Sequence, residues 1–201
     1  MVDKICVITI GPESSGNRLV QNLLVKSGLK GTTGYEQPFL QDFDLDLPEA
    51  SDVVVGVAWL RSIPHATNWY INLHKMVYDA IDKGYCIGVI ITERDPLFAI
   101  ESRRKRWGDS QIKALHNIIK GRTILYRLLD PLINQVDFTT IVSYESLVEF
   151  KTSYWNVIVD RHLAQYGAST LPMSYNGEIY NGNTPYLKTL GVHYGPKAKR
   201  R

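Results

Sequence analysis

The densest chemistry in the chain lies at residues 11–18, which read GPESSGNR. Gly11 and Gly16 carry the G-x-x-x-x-G spacing of a phosphate-binding turn, and Ser14, Ser15 and Asn17 add side-chain donors. In such a turn successive main-chain N–H groups and a helix N-terminus converge on an anion. Arg18 puts a cation in the first helical turn, where it opposes the helix dipole, and a bound anion resolves that conflict. Without a ligand, the same residues make a polar strand-to-helix turn. A loop built for ATP and magnesium follows its second glycine with Lys and then Ser or Thr, the hydroxyl holding the metal. Here Asn17 and Arg18 occupy those places, so the expected ligand is an anion handled without metal.

Such a turn needs a buried strand before it and a helix after it. Residues 4–10 (KICVITI) form an apolar, β-branched run, and Leu19, Leu23 and Leu24 then recur at helical spacing over 18–27. Further strands are predicted at 52–60, 85–92 and 138–143. Helices are predicted at 69–83 (with Asn68 as a cap), from Asp95-Pro96 onward, at 110–129 and at 153–166. Residues 28–47 and the last 35 or so read as loops. Strands alternating with helices imply an α/β fold with a mainly parallel sheet, whose ligands lie beyond the carboxyl ends of the strands. No internal repeat or domain boundary is visible, so the expectation is one domain over 1–201, with 191–201 as a flexible basic tail.

The stretch S-S-G-N-R-L at 14–19 resembles the 5′-phosphosulfate loop of sulfotransferases that use 3′-phosphoadenosine 5′-phosphosulfate (PAPS). Ser15, Gly16 and Leu19 agree with that pattern, and Arg18 matches the branch that has Arg there. Ser14 stands where the family has a Lys or Arg bridging to the leaving group, and Asn17 replaces its Thr. Arg94, Pro96 and Ser102 are similar to the family's 3′-phosphate element, an Arg at a strand end with a Ser eight residues later. The geometry is sensible in itself, because Ser102 lies about two helical turns beyond Asp95, on the same face. Arginine adds a planar fork suited to phosphate. His65, in the turn after the second strand, is the candidate general base, with Arg61 as a supporting charge. Residues 141–148 (IVSYESLV) resemble a structural element of the family. Residues 179–187 resemble one that closes over the nucleotide through Asn183 or Tyr186.

The resemblance implies a P-loop-type, three-layer αβα domain that moves a sulfuryl group from PAPS to a hydroxyl or amine. The acceptor is a small molecule or glycan, and no metal is used. Gly11, Ser14, Ser15, Gly16, Asn17, Arg18, Arg94 and Ser102 would bind the nucleotide, and His65, Arg18 and Arg61 would act in catalysis. The alternatives are a P-loop small-molecule kinase using ATP, for which the arginines at 103–106 would form a lid, and a non-catalytic nucleotide-binding module. In the absence of a ligand role, 103–106 is a solvated charged face. A net charge of +3 with 21% charged residues favours anionic ligands but is too mild for nucleic acid. Cys6 and Cys86 sit in apolar runs and read as buried free thiols of a reducing compartment. No run is long and apolar enough to span a bilayer, and a cytoplasmic location is expected.

Overall fold

The computed structural model describes residues 4–12, 15–31, 56–63, 73–179 and 181–187. A five-stranded sheet carries β1 (Ile5–Pro12), β2 (Lys30–Gly31), β3 (Gly56–Ile63), β4 (Cys86–Glu93) and β5 (Phe138–Ser143) in the order β2-β3-β1-β4-β5, every pairing parallel. The helices are α1 (Asn17–Lys26), α2 (Leu73–Asp82), α3 (Pro96–Trp107), α4 (Gln111–Leu129), α5 (Tyr144–His162) and α6 (Thr184–Leu187). The fold is α/β, as the alternation of runs requires. Among the described residues no helix is long and apolar enough to cross a membrane.

β1 is the central strand and all eight of its residues are buried. Its alternating side chains feed two cores. Ile5 and Val7 pack with Val20, Leu23 and Leu24 of α1 and with Leu147, Trp155 and Val159 of α5. Cys6, Ile8 and Ile10 pack with Val77 and Ala80 of α2 and Leu125 of α4. A third cluster, Ala99, Ile100, Ala114 and Ile118, joins α3 to α4. Both cysteines are free thiols.

The elements differ from the sequence reading at several places, among them α6 within the terminal stretch read as loop. The short β2 lies within a stretch read as loop; two residues with Gly among them carry no strand signal. β3 extends to Ile63, because parallel pairing with β1 aligns Ser62 and Ile63 with Gly11 and Pro12. The last long helix begins at Tyr144 rather than 153, capped by Ser143, whose hydroxyl accepts from Ser146 N at 3.2 Å. It is broken at Lys151, whose φ of 51° and ψ of −130° are not helical. Asn176 secures the break: its Oδ1 accepts from Thr152 N at 3.1 Å and from Thr152 Oγ1 at 2.7 Å, and its carbonyl accepts from Lys151 Nζ at 2.9 Å. The apolar spacing of 153–166 reports only the segment beyond that break.

Candidate anion-binding site

The turn after β1 is closed by a buried polar knot. Ser15 Oγ lies 2.6 Å from the Pro12 carbonyl, 2.8 Å from Thr92 Oγ1 and 3.1 Å from Asn17 Oδ1, so its one proton has three acceptors in reach. Asn17 Nδ2 donates to the Gly11 carbonyl at 3.0 Å, and its Oδ1 accepts from Thr92 Oγ1. These bonds tie the turn to the carboxyl end of β4, the strand beside β1.

Both glycines of the spacing are required, for different reasons. A Cβ on Gly11 would fall 2.2 Å from Thr92 Oγ1 and 2.6 Å from the Thr92 carbonyl oxygen, so only glycine lets the two strand ends approach. Gly16 has φ +97° and its Cβ would meet Tyr144 Cδ2 at 2.4 Å. It is the N-cap of α1 and provides no side-chain cap, and the first turn of that helix holds no acid. Within its own first turn, then, the helix places no carboxylate at the positive end of its dipole. Arg18, exposed in that first turn, adds further positive charge.

Arg94 follows β4 directly and is 8% exposed. Its Nε donates to Asn183 Oδ1 at 2.8 Å, its Nη2 donates to the same oxygen, and Nη2 also reaches the Gly182 carbonyl at 3.1 Å. The guanidinium lies 4.7 Å from the Tyr144 ring centroid and 5.8 Å from that of Tyr186. Tyr144 Oη accepts from Gly182 N at 2.9 Å, and Asn183 Nδ2 donates to Glu145 Oε1 at 3.0 Å. The IVSYESLV stretch and the 181–187 segment therefore meet around Arg94. Asp95 caps α3, accepting from Leu97 N at 2.8 Å, with Pro96 in the first turn. Ser102 is half-buried on that helix and takes part in none of these Arg94 contacts.

A narrow cleft lies between the turn and α4, lined by Pro12, Ser15, Glu93, Arg94, Ala99, Ile118 and Arg122. α4 packs beside the turn at Gly121, where a Cβ would sit in ordinary contact with Pro12 Cβ at 3.7 Å. Arg122 Nη2 then lies 3.4 Å from the Arg94 carbonyl oxygen. Glu93 accepts from Tyr126 Oη at 3.1 Å. Burial, and then the Glu93 charge and hydrogen bond, push the Tyr126 phenol up, while Arg122 opposes them.

Sequence reasoning identified the turn and Arg94 but missed Thr92, Tyr144 and Arg122. Arg122 had a signal: it falls four residues after Ile118 and three before Leu125, inside the apolar stripe of its helix. The reading of 103–106 as a solvated face is corrected at its first residue. Arg103 is 1% exposed and its Nη2 binds Asp109 Oδ2 at 2.6 Å, so it is a buried structural charge. Lys113 holds the other Asp109 oxygen at 2.8 Å. Arg104 pairs with Glu101 at 2.6 Å, and Lys105 and Arg106 lie over Tyr186 and Trp107. His65 and Ser14 lie outside the described residues, as do Asn68 and the tail at 191–201. Arg61 is on β3, of which the backbone path alone is described. Comparison with known proteins finds no matching family model, no matching curated protein and no matching solved structure.

Proposed function

We propose that the chain is a P-loop-type, PAPS-dependent sulfotransferase that moves a sulfuryl group to a hydroxyl or amine of a small-molecule or glycan acceptor. One observation carries the reading. The Gly-rich turn and Arg94 stand at the carboxyl ends of the adjacent parallel strands β1 and β4, and both touch the Tyr144 ring. This is the edge at which an α/β sheet takes its ligand, with two cationic loci side by side. The main-chain N–H groups of Gly16 and Asn17 at the helix start, with Arg18, would stabilise the 5′-phosphate as charge develops on it. Arg94 and Ser102 would hold the 3′-phosphate. The acceptor oxygen or nitrogen attacks sulfur, the bond from sulfur to the 5′-phosphate oxygen breaks, and 3′,5′-ADP leaves. The acceptor proton passes to His65, with Arg61 supporting. Positioning and charge stabilisation dominate such a loose transfer.

Calorimetric titration with 3′,5′-ADP, 5′-AMP and Mg-ATP tests the reading. The expected order puts 3′,5′-ADP tightest, and Arg94→Lys weakens it by losing the planar fork. Equal or absent binding of 3′,5′-ADP sinks the proposal. Tight Mg-ATP binding with phosphoryl transfer would put a small-molecule kinase in its place. Tight 3′,5′-ADP binding without turnover over an acceptor panel would leave a non-catalytic nucleotide-binding module.

A further inference from the structure

We infer that Arg122 supplies the cation for the transferring end of the nucleotide, doing from α4 what no charged side chain does at position 14 of the turn. The inference rests on the nucleotide reading above and assigns a further binding residue to it. Arg122 is half-buried and lines the same cleft as Pro12 and Ser15, which flank positions 13 and 14. Among the described residues its hydrogen bond is the long one to the Arg94 carbonyl, and it makes no ion pair. Glu93, the acid among the cleft's lining residues, accepts instead from the Tyr126 hydroxyl. A half-buried guanidinium with one long hydrogen bond keeps further N–H donors for an incoming oxyanion.

Its setting is built as well as its charge. Gly121, next to it on α4, lies beside Pro12 of the turn, and Ile118 and Leu125 anchor the helical turns on either side in two separate cores. Arg122 therefore projects from a rigid helix toward the turn, whereas position 14 carries only a serine. Arg94, by contrast, has Nε and Nη2 engaged by Asn183 and Gly182 on the far segment. The two arginines divide the ligand: Arg94 faces the 3′ end, and Arg122 faces the oxyanion seated on the turn.

The test is calorimetry on the whole chain with inorganic pyrophosphate, 3′,5′-ADP and adenosine 3′-phosphate. Arg122→Ala is expected to weaken pyrophosphate and 3′,5′-ADP by about tenfold to a hundredfold, as expected for loss of a charged hydrogen bond. Adenosine 3′-phosphate, which lacks the 5′ group, is expected to bind the variant as it binds the parent. Arg122→Lys should fall between the two, and the exposed Arg127→Ala should change none of the three. Should Arg122→Ala melt early, Arg122→Lys decides the matter by the same three-ligand pattern. Unchanged pyrophosphate affinity, or an equal loss for adenosine 3′-phosphate, overturns the assignment. Pyrophosphate binding that depends on Arg122, with 3′,5′-ADP no tighter than 5′-AMP, leaves Arg122 in place and removes the PAPS reading. A parent chain that binds neither pyrophosphate nor 3′,5′-ADP removes both.

Discussion

Arg94 Nε donates to Asn183 Oδ1 at 2.8 Å across 89 positions of sequence, and this bond joins the end of β4 to a segment near the carboxyl terminus. Asn183 accepts two donors of a buried cation and gives its own amide to Glu145. Asn183→Ala should lower the unfolding free energy by about 1–3 kcal/mol, because the buried guanidinium keeps its desolvation and loses the side-chain oxygen that takes two of its bonds. Denaturant titration measures this. Asn183→Asp should keep the fold, since its carboxylate still accepts from Arg94, yet weaken 3′,5′-ADP by neutralising the arginine. An aspartate variant that binds as well as the parent would separate Arg94 from the ligand.

Gly11→Ala should be more damaging than a glycine-to-alanine change at an open surface. The added Cβ meets the Thr92 main-chain oxygen at 2.6 Å as well as its hydroxyl, so trimming the threonine cannot relieve it. A loss of about 1–3 kcal/mol or more is expected, as for overpacking in a close-packed site. The double variant Gly11→Ala/Thr92→Ala should not recover it. Recovery in thermal melts would show that the hydroxyl alone sets the limit.

Lys151→Gly should stabilise the protein. The φ of 51° and ψ of −130° lie where only glycine is comfortable, a cost of about 1–3 kcal/mol for other residues. Against this the variant loses one half-buried bond from Nζ to the Asn176 carbonyl. The expected net gain is about 1 kcal/mol, read as a higher denaturant midpoint with an unchanged slope.

Acid should destabilise the fold in two steps. Burial, and then the Arg161 charge, hold the His162 imidazole below its ordinary 6.5, so its neutral form is favoured in the fold. Stability is complete above that value and falls as pH drops through the lowered folded one. Hydrogen bonds from Lys113 and then Arg103, opposed by burial, hold the Asp109 carboxyl below its ordinary 3.8. Its contribution is complete above 3.8 and is lost as pH falls further. Asp109→Asn should remove the second step and cost about 3–5 kcal/mol at neutral pH, because Arg103 stays buried without its counter-charge. Melting curves from pH 8 to 3 for the parent and for His162→Phe and Asp109→Asn check each step.

Alkali acts through Cys6, whose thiol burial pushes up to about 12. The unfolded thiol ionises near 9.0 and the folded one does not, so stability falls as pH rises from 9.0 toward 12. Cys6→Ala should flatten that slope. Thiol-labelling of the native chain should leave Cys6 unmodified until global unfolding.

Much of the fold was legible because its signals are local. The apolar runs of β1 and β4 and the Asp95-Pro96 start of α3 each announce themselves within a few residues. The Gly11/Gly16 spacing was legible as a local motif, although the clashes that demand glycine there come from the distant Thr92 and Tyr144. What could not be read is whatever depends on distant partners. Nothing near Arg94 in sequence names Asn183. Tyr144 reads as an ordinary core residue until Gly16 and Arg94 are seen against it. Arg103 looks like its exposed neighbours, and only the loop that returns Asp109 to it makes it a buried charge. The break at Lys151 was likewise invisible, because Asn176, which secures it, lies 25 positions on from that lysine.

The central place of β1 also has a consequence for synthesis. Its apolar residues are made before those of β4, with which one edge pairs: Ile5 stands opposite Cys86, 81 positions later (86 − 5). At roughly 5–20 residues per second, that edge waits about 4–16 s for its partner. Throughout that interval the emerging chain displays a flat, β-branched ribbon with unpaired N–H and C=O groups, a template for pairing between nascent chains. The strand that anchors the anion turn therefore has an edge that a holding chaperone on the ribosome would shield until Cys86–Ile91 is made.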